Sequence, residues 1–256
     1  MEHERTGIGA ASAEDLDWDA IGGFLAVRLP GWAADPGPEE LAVRLGLAAR
    51  MGSRLHPTLV GLMVFGRLPQ LTQPHWGVSA VRIGGATMSD PVVAREDLEG
   101  PLDRLLTGAL GFVGRHTVTL ADQVTVGAAT EYSEVALREA LVNALVHRDY
   151  RRTSRVALRI FDDRLELENP GGLLESVANL DDLVQRGGIS APRNPILAAT
   201  ARVLGIGEQL GRGLCLMRRA VTARASQRLL IESDVKSFMV VLPSQHCRPL
   251  DARSLT

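Results

Sequence analysis

The chain has 256 residues, 45% of them hydrophobic, and a formal net charge of −2, which describes a globular protein with material for one large or two modest domains. No excess of basic residues points to a polyanionic partner, so direct DNA binding draws no support from charge. No apolar run approaches the roughly 18 residues of a membrane span, and Cys215 and Cys247 are too few and too far apart for a metal knuckle; the expectation is a cytoplasmic protein with reduced thiols and no membrane segment.

Residues 1–13 are polar and small and read as a flexible tail. A smaller mixed helical and strand region is expected over 14–115. Its first helix carries Leu16, Ile21, Phe24 and Leu25, and acidic residues lie near its start, where the helix dipole favours them. Residues 31–38 break the chain, and 39–50 read as a second helix through Leu41, Leu45 and Leu47. The apolar run 59–65 fits helix or strand equally well. Residues 78–83 alternate as a half-buried strand would, and 98–112 predict a helix with Leu102, Leu105, Leu106, Ala109 and Phe112 inward.

A second unit is expected over 116–243, followed by a polar tail, 244–256. It opens on a short strand-like stretch, 118–126, and an apolar helix through 133–147. Residues 155–161 and 164–168 alternate around the acidic turn Asp162-Asp163, a hairpin signature. Asn194-Pro195 reads as an N-cap followed by proline at the first helical position. Residues 205–213 are glycine-rich and feed a helix carrying Leu214, Leu216, Met217 and Ala220; two more strands are expected at 227–232 and 237–242. The mixture of helices and strands predicts an α+β fold.

The helix over 133–147 holds the clearest chemical signal. Glu139 and Asn143 stand four residues apart, about one turn, and therefore share a face. An asparagine amide oxygen can ligate Mg²⁺, a hard cation that keeps several waters, and a carboxylate one turn away can orient or deprotonate a water. Gly171 and Gly172 end a strand and let backbone approach a flat ligand, while Gly211 and Gly213 open a helix whose free N–H groups suit phosphate. Taken singly, each has a plainer reading, because a helical asparagine is more often a satisfied core amide and a glycine loop more often a turn. Their order and spacing in one chain favour the functional reading.

The segments REALVNALVHRDY (138–150), LELENPGGL (165–173), NPILA (194–198) and the glycine-rich 205–213 together resemble bacterial ATP-binding proteins described as RecG C-terminal-like or as transcriptional regulators. Those proteins fall within the GHKL superfamily of gyrase, heat-shock chaperone, histidine-kinase and MutL ATPase domains. Residues 57–66 with Pro69 and Gln70 resemble the segment that precedes this domain, so the resemblance covers most of 55–243.

The resemblance implies a Bergerat-type sandwich, with helices on one face of a mixed β-sheet and ATP between them. It implies Asn143 as the Mg²⁺ ligand and Glu139 at the position of the general base, which favours hydrolysis over transfer to a histidine. Asn169, Gly171 and Gly172 fall on the adenine-reading turn, Gly211 and Gly213 on the phosphate loop, and 173–193 on a lid hinged at Gly187-Gly188. The turn departs from the superfamily's Asp-x-Gly-x-Gly pattern, reading Glu168-Asn169-Pro170-Gly171-Gly172 instead. Alternation through Leu165 and Leu167 turns Asn169 inward, where its amide serves adenine or another base edge, so nucleotide identity stays open. Relatives usually begin with a Schlafen-like or Alba-like DNA-binding domain and often end with a winged helix; neither is apparent here, and DNA binding is not carried over.

GHKL ATPases often pair, which implies a homodimer through the N-terminal helices; a protein partner is expected but not identified. Three readings remain open: an ATP-binding module with slow Mg²⁺-dependent hydrolysis coupled to regulation, including transcription; a regulatory or scaffolding protein that keeps the fold without turnover; and a truncated regulator acting on DNA through a partner. His147-Arg148-Asp149 reads as local structure ending the helix rather than a kinase catalytic loop, since the asparagine expected five residues on is Ser154.

Overall fold

A computed structural model describes residues 2–31, 35–117, 119–120, 129–174, 180–187, 192–207, 211–223 and 228–244. Trp32, Gly188, most of the strand expected at 118–126 and nearly all of the C-terminal tail lie outside those residues.

The N-terminal segment departs from the expected tail. Helix α1 (Glu2–Arg5) buries Glu4 completely, Ala11 beyond it is almost fully buried, and Ile8 donates its N–H to the Pro57 carbonyl at 2.8 Å. Two apolar side chains and a carboxylate that finds helix N–H donors are enough to dock it. Helix α2 (Trp18–Arg28) starts later than expected because Asp17 is its N-cap, accepting from the Ala20 N–H at 3.0 Å, and it buries Ile21, Phe24 and Leu25.

Helix α3 (Pro38–Leu45) ends at Gly46, which takes the left-handed conformation at φ 78°. The second helix therefore stops short of residue 50, and Ala48–Met51 (β1) instead pairs with Arg54–Pro57 (β2) as an antiparallel hairpin. The ambiguous run resolves as helix α4 (Leu59–Phe65), with the Thr58 hydroxyl accepting from the Gly61 N–H. Glycine at 61 is a packing requirement, since a Cβ there would lie 1.9 Å from the Leu47 carbonyl oxygen.

Strand β3 (Val78–Ile83) is followed by β4 (Val92–Leu98), which the sequence pattern does not reveal. The two pair antiparallel, and β4 lies at the sheet edge with Val92 and Val93 exposed, so no inward-outward alternation marks it. Helix α5 (Leu102–His116) starts four residues later than predicted, after Pro101. A short pair, β5 (Thr119–Leu120) with β6 (Ala129–Thr130), leads to α6 (Glu134–His147), capped by the Ser133 hydroxyl.

The expected hairpin is present as β7 (Val156–Ile160) and β8 (Arg164–Pro170). Helices α7 (Leu180–Arg186), α8 (Pro195–Val203) and α9 (Gly213–Thr222) follow, then β9 (Leu230–Ser233) and β10 (Ser237–Pro243). The main sheet runs β4-β3-β7-β8-β10-β9 and is mixed, because β3 and β7 are parallel while the other neighbours are antiparallel.

Helices pack on one face of this sheet, giving the α+β architecture expected. α5 lies over β3, β4 and β7, α6 over β8 and β10, and α9 beside α6. Beneath them Val78, Ala80, Val156, Leu158, Leu165, Leu167, Val240 and Leu242 are buried. On the opposite face Arg159 pairs with Glu168 at 2.8 Å and Glu166 at 3.6 Å. One continuous core runs from α2 and α4 through α5 and α6 to β10, and β3 and β4 join β7 across the boundary expected near residue 116. That boundary does not separate two cores. Among the described residues no helix is long and apolar enough to cross a membrane.

Candidate functional site

Helix α6 is buried along Ala136, Leu137, Ala140, Leu141, Ala144 and Leu145, which fixes its rotation and leaves Glu139 and Asn143 half-buried on one flank. The flank faces the glycine-rich segment. A Cβ on Gly213, the first residue of α9, would lie 2.9 Å from Glu139 Oε2, and one on Gly207, at φ 86°, would lie 2.8 Å from Val142. At Gly207 the left-handed backbone calls for glycine, whereas at Gly213 a side chain would meet only the flexible end of Glu139. Gly211 is also left-handed, at φ 63°.

The C-terminal end of α6 abuts the turn after β8. The Asp149 N–H donates to the Pro170 carbonyl at 2.7 Å, and a Cβ on Gly171, at φ 97°, would come within 2.8 Å of the Asp149 Cβ. Gly172 is tighter still, because a Cβ there would sit 1.6 Å from the Asp234 carbonyl oxygen in the β9–β10 turn. The two glycine turns expected in the site are therefore brought to two points on one helix. Glu139 marks one and the α6 C-terminus the other, about 12 Å apart at 1.5 Å per residue, with Asn143 between them.

Asn169 points inward, as the alternation predicts: it is 3% exposed and shares its face with Leu165, Leu167 and its cross-strand partner Phe238. Among the described residues neither Asn169 nor Asn143 uses its side-chain amide in a hydrogen bond. Neither amide is among the buried polar atoms left without a partner, so both reach solvent and can receive a ligand. Glu139, by contrast, is already engaged.

The donor set can be tested against Mg²⁺. The described residues hold no cluster of three or more His, Cys, Asp or Glu that would cage an ion. One unengaged amide oxygen on α6 fits a cation that binds few protein ligands and completes its shell with water and phosphate oxygens.

Several residues at this site were missed or set aside by sequence reasoning. Arg193 Nη2 donates to the Gly172 carbonyl at 2.6 Å and Nε to the His147 carbonyl at 3.3 Å. The Asn194 amide donates to the Val146 and Arg148 carbonyls at 2.8 and 2.9 Å. Glu4, at the far end of the sequence, accepts from the Ile196 and Leu197 N–H groups at 3.0 and 2.9 Å, filling the cap position that the Asn194 side chain leaves. Only Asn194-Pro195 gave a sequence signal here, and it marked a helix start rather than a contact.

Electrostatics at the α6 terminus follow from this packing. Burial, helped by the Arg193 charge, lowers His147 to about 4 and keeps the imidazole neutral. The Arg151 guanidinium, bonded to Asp149 at 2.9 Å, holds that carboxyl below the usual carboxylate range. Arg148 is fully buried, donating to the His75 and Ser154 carbonyls and lying 4.9 Å from the Tyr150 ring centroid. These three residues end the helix, as expected.

A separate cleft of about 530 Å³ lies between α7, α9 and β9, lined by Leu180, Val184, Arg218 and Ile231 among others. None of the expected site residues lines it, so its size is no argument against the α6 flank.

Residues 153–242 match the family model described as "Putative ATP-dependent DNA helicase recG C-terminal". The match takes in Asn169 and all four expected glycines but begins after α6, so Glu139 and Asn143 fall outside it. No curated protein matches the chain. Among solved structures, the fold is similar to the crystal structure of the DIP2311 protein from Corynebacterium diphtheriae, at 22% identity and a TM-score of 0.65. That similarity covers 96% of this chain and 48% of the other, so this chain spans about half of that protein's length. It bears on the fold alone.

Proposed function

We propose that the chain binds an adenine nucleotide against α6, with the base at the Asn169-Gly171-Gly172 turn and the phosphates toward Gly211 and Gly213. The observation that carries this reading is the pair of amides, Asn143 and Asn169, both without hydrogen-bond partners among the described residues and bracketed by two glycine turns on one helix. The family match over 153–242 supports it. Asn143 supplies an oxygen to Mg²⁺, which when bound neutralises phosphate charge. Asn169 accepts from the base's exocyclic amino group through its oxygen, and its NH₂ donates to a ring nitrogen. Glu139 lies one turn from Asn143, within range to orient a water at the terminal phosphate.

Displacement of a fluorescent ATP analogue tests the reading. ATP should compete, Asn169→Ala should weaken competition by about ten-fold or more, and GTP should compete poorly. Equal competition by ATP and GTP, unchanged in Asn169→Ala, would remove the base from this turn.

A second reading has its own support. Glu139 Oε2 lies against Gly213 at the N-terminus of α9, where a phosphate would otherwise be attracted. With that carboxylate in place the module binds nucleotide without turning it over and acts as a regulatory or scaffolding element. Phosphate release under single-turnover conditions decides between the two: release that disappears in Glu139→Ala while binding persists supports hydrolysis, and no release supports the scaffold. Coupling to transcription, a homodimer through the N-terminal helices and a protein partner belong to the proposal as its biological setting.

A further inference from the structure

We infer that Arg193 is a positioning residue that locks the base-reading turn onto the end of α6, braced from behind by the N-terminal segment; the inference rests on the nucleotide reading above. Three groups converge on one guanidinium. Nη2 bonds the Gly172 carbonyl at 2.6 Å, Nε bonds the His147 carbonyl at 3.3 Å, and Nη1 lies 3.9 Å from Asp149 Oδ2. Gly172 belongs to the turn and His147 to the last turn of α6, so the side chain holds the two walls of the site at a fixed separation.

Only a planar fork with donors on several edges can do this, because a lysine ammonium is a single point that cannot reach divergent carbonyls in one plane. Arg193 is itself held. The next residue, Asn194, bonds the Val146 and Arg148 carbonyls, on either side of the one Arg193 takes, so three successive carbonyls at the end of α6 are satisfied from outside the helix. Behind them His3 Nε2 lies 3.0 Å from Asn194 Oδ1, and Glu4 caps α8 through Ile196 and Leu197. The N-terminal segment thus fixes α8, α8 fixes Arg193, and Arg193 fixes the turn.

The brace also explains the close fit of the turn. Gly171 lies against Asp149 with Arg193 Cζ 3.4 Å from where its Cβ would be, and the Asp149 N–H to Pro170 carbonyl bond closes the same junction. Any loosening of Arg193 should therefore appear first in the amides of Asp149 and Gly171.

Amide hydrogen exchange on the ligand-free chain, together with calorimetric titration of ATP with Mg²⁺, tests this on wild type, Arg193→Lys, Arg193→Ala and Glu4→Ala. Exchange at Asp149 and Gly171 should quicken by about ten-fold or more in both Arg193 variants, and in Glu4→Ala to a lesser degree, while the β7–β8 ladder amides stay protected and report an intact fold. ATP affinity should fall in the same order. Arg193→Lys with wild-type exchange and wild-type affinity would overturn the inference. If wild type binds no adenine nucleotide yet the exchange pattern appears, the lock stands and the nucleotide reading fails; if wild type binds and exchange at the two amides is unmoved in Arg193→Ala, the lock fails and the nucleotide reading stands.

Discussion

At the residue scale, Asn143 and Asn169 are the same side chain in two settings, and under the nucleotide proposal the settings divide their work. Asn143 is half-buried on a helix flank, suited to a hydrated cation, whereas Asn169 is 3% exposed at the end of a central strand, suited to a flat base. Replacing Asn169 by aspartate keeps an acceptor and adds charge, and in an apolar pocket that charge is stable only when a donor meets it; ATP should stabilise Asn169→Asp more than wild type in a thermal melt. His147 gives a prediction independent of any ligand. Its folded value, about 4, lies below the ordinary 6.5, so between those values the unfolded chain binds a proton that the native state refuses. Stability should therefore fall as pH drops through that window, by up to about 3 kcal/mol, and level off below it. Denaturant melts of wild type against His147→Gln at pH 7 and pH 4.5 check this, with the variant showing the weaker pH dependence. Gly172→Ala should cost more than about 2 kcal/mol in urea unfolding, because its Cβ would stand 1.6 Å from a backbone oxygen that cannot swing away.

At the scale of elements, the most informative contact is the longest in sequence. Glu4 gives α8 a cap that the helix does not supply for itself, and Glu4→Ala leaves one buried and one part-buried N–H donor unmet, which should destabilise the chain by about 2 kcal/mol; Glu4→Gln, which keeps an acceptor, should lose less. Equal melting temperatures for all three chains would refute that role. The same contact shows what a sequence conceals. Strong periodic signals gave α6, the β7–β8 hairpin and the inward turn of Asn169, because alternation and helical spacing report burial on one face. Strand β4 lacked that signal because it is an edge strand with both faces largely exposed, and α4 was ambiguous because it is buried on nearly every side. Residues 2–11 looked like a tail since docking there depends on partners some 190 residues away, and no local pattern encodes a partner. Arg193 was invisible for the same reason: its acceptors are backbone carbonyls, which every residue has.

At the scale of the whole molecule, the sheet ties the two halves of the sequence together through β3 and β7, and α6 lies over β8 and β10 with a glycine-rich segment against its middle and a glycine turn at its C-terminal end. The fold is shared with a solved protein about twice as long. Calorimetric titration of ATP into the chain, with and without Mg²⁺ and repeated on Asn143→Ala and Asn169→Ala, tests the central claim most directly. One site per chain is expected, whose affinity rises with Mg²⁺ in wild type, loses that rise in Asn143→Ala, and weakens about ten-fold or more in Asn169→Ala with or without the metal. Binding of the same strength and the same Mg²⁺ dependence in all three chains, or no binding by folded wild type, would contradict it.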